Sequence, residues 1–191
     1  MMDLTLTHIG LTIATGILLV IVLSLIFTND WQRNAELQSQ ASSFSNLLSD
    51  VENSFFEQIH RFQFPQKSYA YSVMISIEYI RITTKSAWAG DLIVTEKLLA
   101  SPWFPLPQQN WTTGDSFHTY LNTTYGHHGT QNDSLSLENF TNLSQGQHNM
   151  TMYFALHPLE ICINEPVFIE KITIFYNQTT RQDFLLLYQR V

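Results

Sequence analysis

The chain has 191 residues, a net charge of −7 and only nine Lys plus Arg. That balance argues against nucleic-acid binding and against docking on anionic lipid through a basic patch, since both need clustered positive charge. Cys162 is the only cysteine, which excludes an intrachain disulfide, although secreted domains of this size often have several.

Residues 1–8 read as a short tail. From Ile9 to Phe27 runs an apolar stretch with no charged residue, long enough as helix to cross the roughly 30 Å core of a bilayer. A cleaved signal peptide fits poorly. Asp3 precedes the stretch, no Lys or Arg occurs before Arg33, and Phe27-Thr28-Asn29-Asp30 lacks the small residues of a cleavage site. Within the span Gly10 and Ala14 are four apart, as are Thr12 and Gly16, a small-residue spacing that lets helix backbones approach closely.

The helix is expected to continue over residues 28–64 as an amphipathic stalk, with neither Gly nor Pro until Pro65. Leu37, Ala41, Phe44, Leu48, Val51, Phe55, Ile59 and Phe62 recur at steps of three and four, a narrow apolar stripe close to a heptad seam. The stripe can pack on the chain's own head or on other copies. Its Phe-rich C-terminal half favours the head, leaving the membrane-proximal half and the span for partners.

Residues 65–191 read as a β-rich domain. Tyr69, Tyr71, Val73, Ile75, Ile77 and Tyr79 alternate with more polar residues, as a strand with one buried face does. Ile80 and Ile82 take the other phase, which suggests a bulge or a strand changing sheets. A short strand is expected at Leu92–Val94 and a short helix around Thr95–Ala100. Pro102, Pro105 and Pro107 then exclude a central strand. Residues 101–148, rich in Asn, Thr, Ser, Gly and His, read as a long loop region with at most short strands near 117–121 and 135–140. Strand character returns at Met150, Met152, Phe154 and Leu156. Pro166–Tyr176 and Phe184–Val191 read as a hairpin, with the first long strand expected to pair with it. The whole is an α+β chain: one long N-terminal transmembrane-plus-amphipathic helix, then an antiparallel β-sandwich-like head.

Of twelve Asn, eight follow residue 100, and seven of those begin Asn-x-Ser/Thr sequons: Asn110, Asn122, Asn132, Asn139, Asn142, Asn149 and Asn177. This enrichment points to a C-terminal domain in a glycosylating compartment, outside the cell membrane on a single pass. No Gly-rich phosphate loop, nucleophile elbow, His-Glu-x-x-His or Cys-x-x-Cys occurs. The expectation is therefore no enzyme, no cofactor and no metal. His118, His127, His128 and His148 read as surface histidines of the loop. Cys162 reads as a small core residue, and Trp103-Phe104 as either an exposed contact or packing beneath the loop.

The run His8-Ile9-Gly10-Leu11-Thr12-Ile13-Ala14-Thr15-Gly16-Ile17-Leu18, with the amphipathic continuation and β-rich head, resembles the archaeal type IV pilin-like proteins. That group includes the archaellum stator-type proteins, with an uncleaved anchor and a β-sandwich ectodomain. The likeness covers the first sixty residues and the overall layout. A pilin would also carry a basic residue and a Gly or Ala before the helix, then Glu or Gln near its start, and this chain lacks the basic residue and the polar position. The resemblance implies an uncleaved, glycosylated structural or accessory subunit of a pilus- or archaellum-like assembly. Its partners would be the lipid bilayer and other pilin-like subunits or a surface-layer protein, with a homo-oligomer as one option. The alternative is a ligand-binding or adhesion module tethered by one helix.

Overall fold

A computed structural model describes residues 2–86, 90–106, 109 and 111–190. Helix α1 (Met2–Glu52) is unbroken over 51 residues, about 75 Å at 1.5 Å per residue. Its apolar window contains no buried residue, and it is long and apolar enough to cross a membrane. Thr12 Oγ1 donates to the His8 carbonyl, Thr15 Oγ1 to Leu11 and Ser24 Oγ to Ile21, each at 2.8 Å. These hydroxyls are thus satisfied inside the helix, which an apolar surrounding demands.

The helix ends at Glu52, twelve residues short of the expected Phe64. The sequence Ser49-Asp50-Val51-Glu52-Asn53-Ser54 offers the backbone local alternatives to helix. Asn53 Nδ2 donates to the Ser49 carbonyl at 2.8 Å, and Ser54 Oγ lies 2.9 Å from the Val51 carbonyl. Ile59 and Phe62 consequently lie in strand β1 (Gln58–Phe62), not in a helix, and Phe55 lies in the turn between the two elements.

Among the described residues the head holds two antiparallel sheets and two further helices. One sheet has the order β1-β6-β7, with β6 at Val167–Phe175 and β7 at Arg181–Gln189. The other has the order β4-β3-β2-β5, from β2 (Tyr71–Ile75), β3 (Tyr79–Lys85), β4 (Asp91–Lys97) and β5 (Leu159–Ile161). The C-terminal hairpin has the expected place, but its partner is β1 rather than the first long strand. That long alternating segment is itself a hairpin. Ser76 N donates to Tyr79 O at 2.8 Å, so the chain reverses there and Ile80 and Ile82 take the opposite phase. Residues 95–97 extend β4 where a helix was expected.

The region expected to be loop contains α2 (Gly114–Tyr125) and α3 (Leu137–Leu156). Thr113 caps α2 reciprocally with Ser116, and Gly126 closes it at φ 78°. Ser136 caps α3. Phe117 and Leu121 turn inward from α2, and Phe140, Leu143, Met150 and Phe154 from α3. The Met150–Leu156 segment is therefore the end of a helix, not a strand. Trp103 and Phe104 are both core residues. Trp103 is bridged to the β7 edge through its N–H on Leu185 O and its carbonyl on Leu187 N. Cys162 is exposed, not a core residue, because the buried phase of its short strand ends at Ile161.

Candidate functional site: the junction of helix and head

Leu37, Ala41, Phe44, Leu48 and Val51 are all 0% exposed. Helix α1 packs chiefly on β4 and also touches β3, β6 and β1. Phe44 meets Phe62 edge-on at 5.2 Å and Phe64 at 5.6 Å. The stripe therefore divides in the opposite sense to expectation. Its N-terminal part is committed to the chain's own head, whereas Phe55 is 92% and Ile59 50% exposed and Phe62 is half-buried.

Two polar clusters close the ends of this apolar contact. At the end nearer the apolar run, a collar forms in which the Glu36 carboxylate accepts from Lys67 Nζ at 2.9 Å and from Tyr69 OH at 3.0 Å. The Arg33 guanidinium lies over the Tyr69 ring, 4.9 Å from its centroid. One turn closer to the span, Ser86 Oγ donates to Asp30 at 2.5 Å. Hydrogen bonds from Lys67 and then Tyr69 hold the Glu36 carboxyl below its ordinary range. The Tyr69 phenol is pushed up to about 12, first by burial and then by its bond to Glu36. Asp30 is only three residues beyond Phe27, about 5 Å of helix. The head thus begins where the apolar run ends, and no bare stalk separates them.

At the far end, Lys171 of β6 is 6% exposed. Its ammonium donates to the carbonyls of Glu52 at 2.7 Å and Ser54 at 2.6 Å, and pairs with Asp183 Oδ2 at 2.9 Å. Helix α1 has no basic residue in its last turn, so this Lys, arriving from another element, meets the carbonyl end of its dipole. All three ammonium protons are used. Partial burial raises the Asp183 carboxyl, but Lys171 and Thr173 outweigh it and the net shift is down. Nearby, Trp103 Nε1 has no hydrogen-bond partner among the described residues. Trp103 and Lys171 line one small cavity with Gln147 and Ser101, the kind of polar void that holds ordered water.

Glu170, next along β6, accepts from Gly114 N at 2.7 Å and Tyr188 OH at 2.6 Å. It holds the α2 N-terminus so closely that a Cβ on Gly114 would lie 2.8 Å from Glu170 Cδ and 2.9 Å from Ile172 Cγ2. Only glycine fits there.

The collar and the Lys171 latch were absent from the sequence reading. One signal was available: in Val167-Phe168-Ile169-Glu170-Lys171, Lys171 shares the inward phase of Val167 and Ile169. A cation on a buried phase demands carbonyl or carboxylate partners.

Among the described sequons, Asn122, Asn132, Asn142, Asn149 and Asn177 are exposed. Asn139 is half-buried and its amide nitrogen donates to Tyr125 O at 3.3 Å. Asn110 lies outside the described residues. Strand β6 runs away from the apolar half of α1, past Lys171, so the β6–β7 turn bearing Asn177 lies at the end of the head far from that half. The loop bearing Asn132 is tied to the same end, since Phe175 N donates to Gly129 O and Leu135 N to Phe175 O. In the span Gly10, Thr12, Ala14 and Gly16 are all exposed, and Gly10 and Gly16 have no neighbouring atom beside them.

The histidines bond locally. His127 Nδ1 and His128 N both lie 2.7 Å from the Asp133 carboxylate, and His118 Nδ1 is 2.7 Å from His128 O. His148 is exposed. Among the described residues no group of three or more metal-ligating side chains comes together. Comparison with protein families, curated proteins and solved structures finds no match.

Proposed function

We propose that this chain is a single-pass membrane protein whose glycosylated head is held outside the cell, directly against the bilayer. In this reading it serves as a structural or accessory subunit of a pilus- or archaellum-like surface assembly. One observation carries the reading: a single unbroken helix has a bare apolar half and a half clamped to the head at both ends. Such a helix transmits force from bilayer to head without a hinge. Its role is mechanical and positional, with filament subunits or a surface layer as the partners. The sequons at the membrane-distal end suit a head facing a glycosylating compartment, and Trp31, 72% exposed, stands where interfacial Trp residues sit.

A second reading, a tethered adhesion or ligand-binding module, is favoured by Phe55 and Phe56. They are 92% and 81% exposed at the membrane-distal end of the helix, and exposed aromatic clusters mark contact sites.

Carbonate extraction of native membranes, glycopeptide mass analysis and crosslinked co-purification test the proposal together. The expected result is carbonate-resistant protein, glycan on the exposed sequons with Asn139 least occupied, and recovery with filament or surface-layer subunits. Carbonate-soluble protein would sink the anchor. Unmodified sequons from a glycosylating host would sink the orientation, and recovery without such subunits would sink the assembly role.

A further inference from the structure

Three of the sequons lie on α3, and there the helix occupies the parts of the motif that glycan transfer needs. Thr141 Oγ1, two residues past Asn139, donates to the Leu137 carbonyl at 2.8 Å. Ser144 Oγ, two past Asn142, donates to Phe140 O at 3.0 Å, and Thr151 Oγ1, two past Asn149, to Gln147 O at 2.9 Å. All three hydroxyls are thus turned back onto the preceding turn. Two residues are also about 200° round a helix, so each Asn amide and its hydroxyl point to different sides. The middle residues add a second barrier. Phe140, Leu143 and Met150 belong to the core, so straightening any of these sequons draws a core side chain into water.

Two other sequons lie in turns. Thr130 and Asp133 exchange both backbone hydrogen bonds at 3.1 Å, and Asn132 stands exposed on the turn between them. The Asp133 carboxylate, in the middle of that sequon, bonds only to the exposed His127 and His128. In the β6–β7 turn Tyr176 N donates to Thr180 O at 3.1 Å, and Asn177, Gln178 and Thr179 are all exposed. Ser134 and Thr179, the hydroxyl residues of the two motifs, lie outside any helix.

Glycan attachment joins the Asn amide nitrogen to the anomeric carbon of a glycan carried on a lipid phosphate. The carbon–oxygen bond to phosphate breaks, its electron pair leaves with the phosphate, and the amide gives up one proton. The transferring enzyme must take amide and hydroxyl together into its own cleft, which a surface turn permits and a packed helix does not. We infer that folding divides these sequons into two classes. Asn132 and Asn177 accept glycan on the folded head, whereas Asn139, Asn142 and Asn149 accept it only before α3 has formed. A glycan on Asn142 or Asn149 of native protein therefore dates from before folding. Asn122, in the last turn of α2 with no core residue inside its motif, belongs to neither class. The inference rests on the reading that the head faces a glycosylating compartment.

The test uses the full chain in detergent micelles, made in a host without N-glycosylation, with an oligosaccharyltransferase and a lipid-linked glycan. Site occupancy is read by glycopeptide mass analysis. Asn132 and Asn177 should be filled at least ~10 times faster than the α3 sites, since transfer through an opened helix scales with the fraction of time it is open. Gly146→Pro then opens α3, because proline removes the hydrogen bond to the Asn142 carbonyl and Gly146 has no neighbouring atom that would cause a clash. Whether or not that variant folds, its Asn142 should rise to the level of Asn177. Equal rates at α3 and turn sites in the unaltered chain would overturn the division, as would an Asn142 that stays bare in Gly146→Pro while Asn177 fills. Turn sites left bare in the folded chain would overturn it too. This reaction has no membrane sidedness, so its failure is separate from that of the orientation, which bare sequons on native protein would sink.

Discussion

The two halves of α1 are one continuous helix in two different settings. Residues 10–24 expose leucine, isoleucine and valine on every side and satisfy their hydroxyls internally. Residues 30–52 bury one stripe completely and fasten it by ion pairs and hydrogen bonds at both ends. The contrast shows where the helix draws its stability. In the first half it comes from bonds within the helix itself, and in the second from packing against one particular head. Changes in the clamped half should therefore register in the head's unfolding, while changes at its exposed end should not.

The largest expected effect is Phe44→Ala. Its ring is fully buried against Phe62 and Phe64, and such a truncation costs about 3–5 kcal/mol. Chemical unfolding of the full chain in detergent micelles, read by tryptophan fluorescence, measures it. Lys171→Met should follow at about 3 kcal/mol, because it strands the Glu52 and Ser54 carbonyls and removes the cation paired with Asp183. Hydrogen exchange separates the two variants. Loss of the latch should deprotect amides near 49–56 first, whereas loss of Phe44 should loosen the whole interface.

The collar adds a pH dependence with two limits. The folded-state pKa of Glu36 is lowered, so its contribution is complete above the ordinary value of 4.5 and is lost as pH falls through the lower folded value. Tyr69 is raised, so its contribution is complete below its ordinary value of 10.0 and is lost as pH rises through about 12. Exchange protection around residues 30–37 should hold between those limits and decline outside them. Glu36→Gln should abolish the acid limb and also bring the alkaline limit down, since the bond to Glu36 helps to raise Tyr69. An unchanged acid limb in that variant would assign the dependence to other carboxylates.

How much of this was readable in advance follows from which signals compete. The stripe from Leu37 to Val51 was legible because helical spacing and burial coincide there. Its extension to Phe62 was not, because the same three- and four-residue steps persist by accident across Asn53 and Ser54, whose side chains bond the last turn and end it. Helices α2 and α3 were hidden by composition. Asn, Thr, Ser and Gly predict loop on propensity, yet Thr113 with Ser116, Gly126 and Ser136 are cap signals, and Phe117/Leu121 and Phe140/Leu143 have helical spacing. Tertiary burial of those few apolar residues overrides weak propensity. The pairing of β1 with β6 could not be read, because strand partners are chosen by the packed head rather than by apolarity alone. Of the junction, the apolar half was visible and the polar closures were not, since Glu36, Lys67 and Tyr69 meet only after the chain has folded.

The smallest effect is expected where the comparison is sharpest. Phe55 retains the spacing of the buried stripe but stands 92% exposed just past the helix end. Surface substitutions of this kind change stability by no more than about 0.5 kcal/mol, so Phe55→Ser should leave unfolding unchanged, unlike Phe44→Ala three steps back on the same pattern. If stability is indifferent, the exposed ring is kept for something other than folding. Partner recovery from membranes after Phe55→Ser with Phe56→Ser then asks a separate question from stability. A normally folded double variant that loses its partner assigns the membrane-distal aromatic pair to contact. A double variant that unfolds more easily would instead mean that the rings pack on the head, and the division of α1 into a bare half and a clamped half would have to be drawn beyond Glu52.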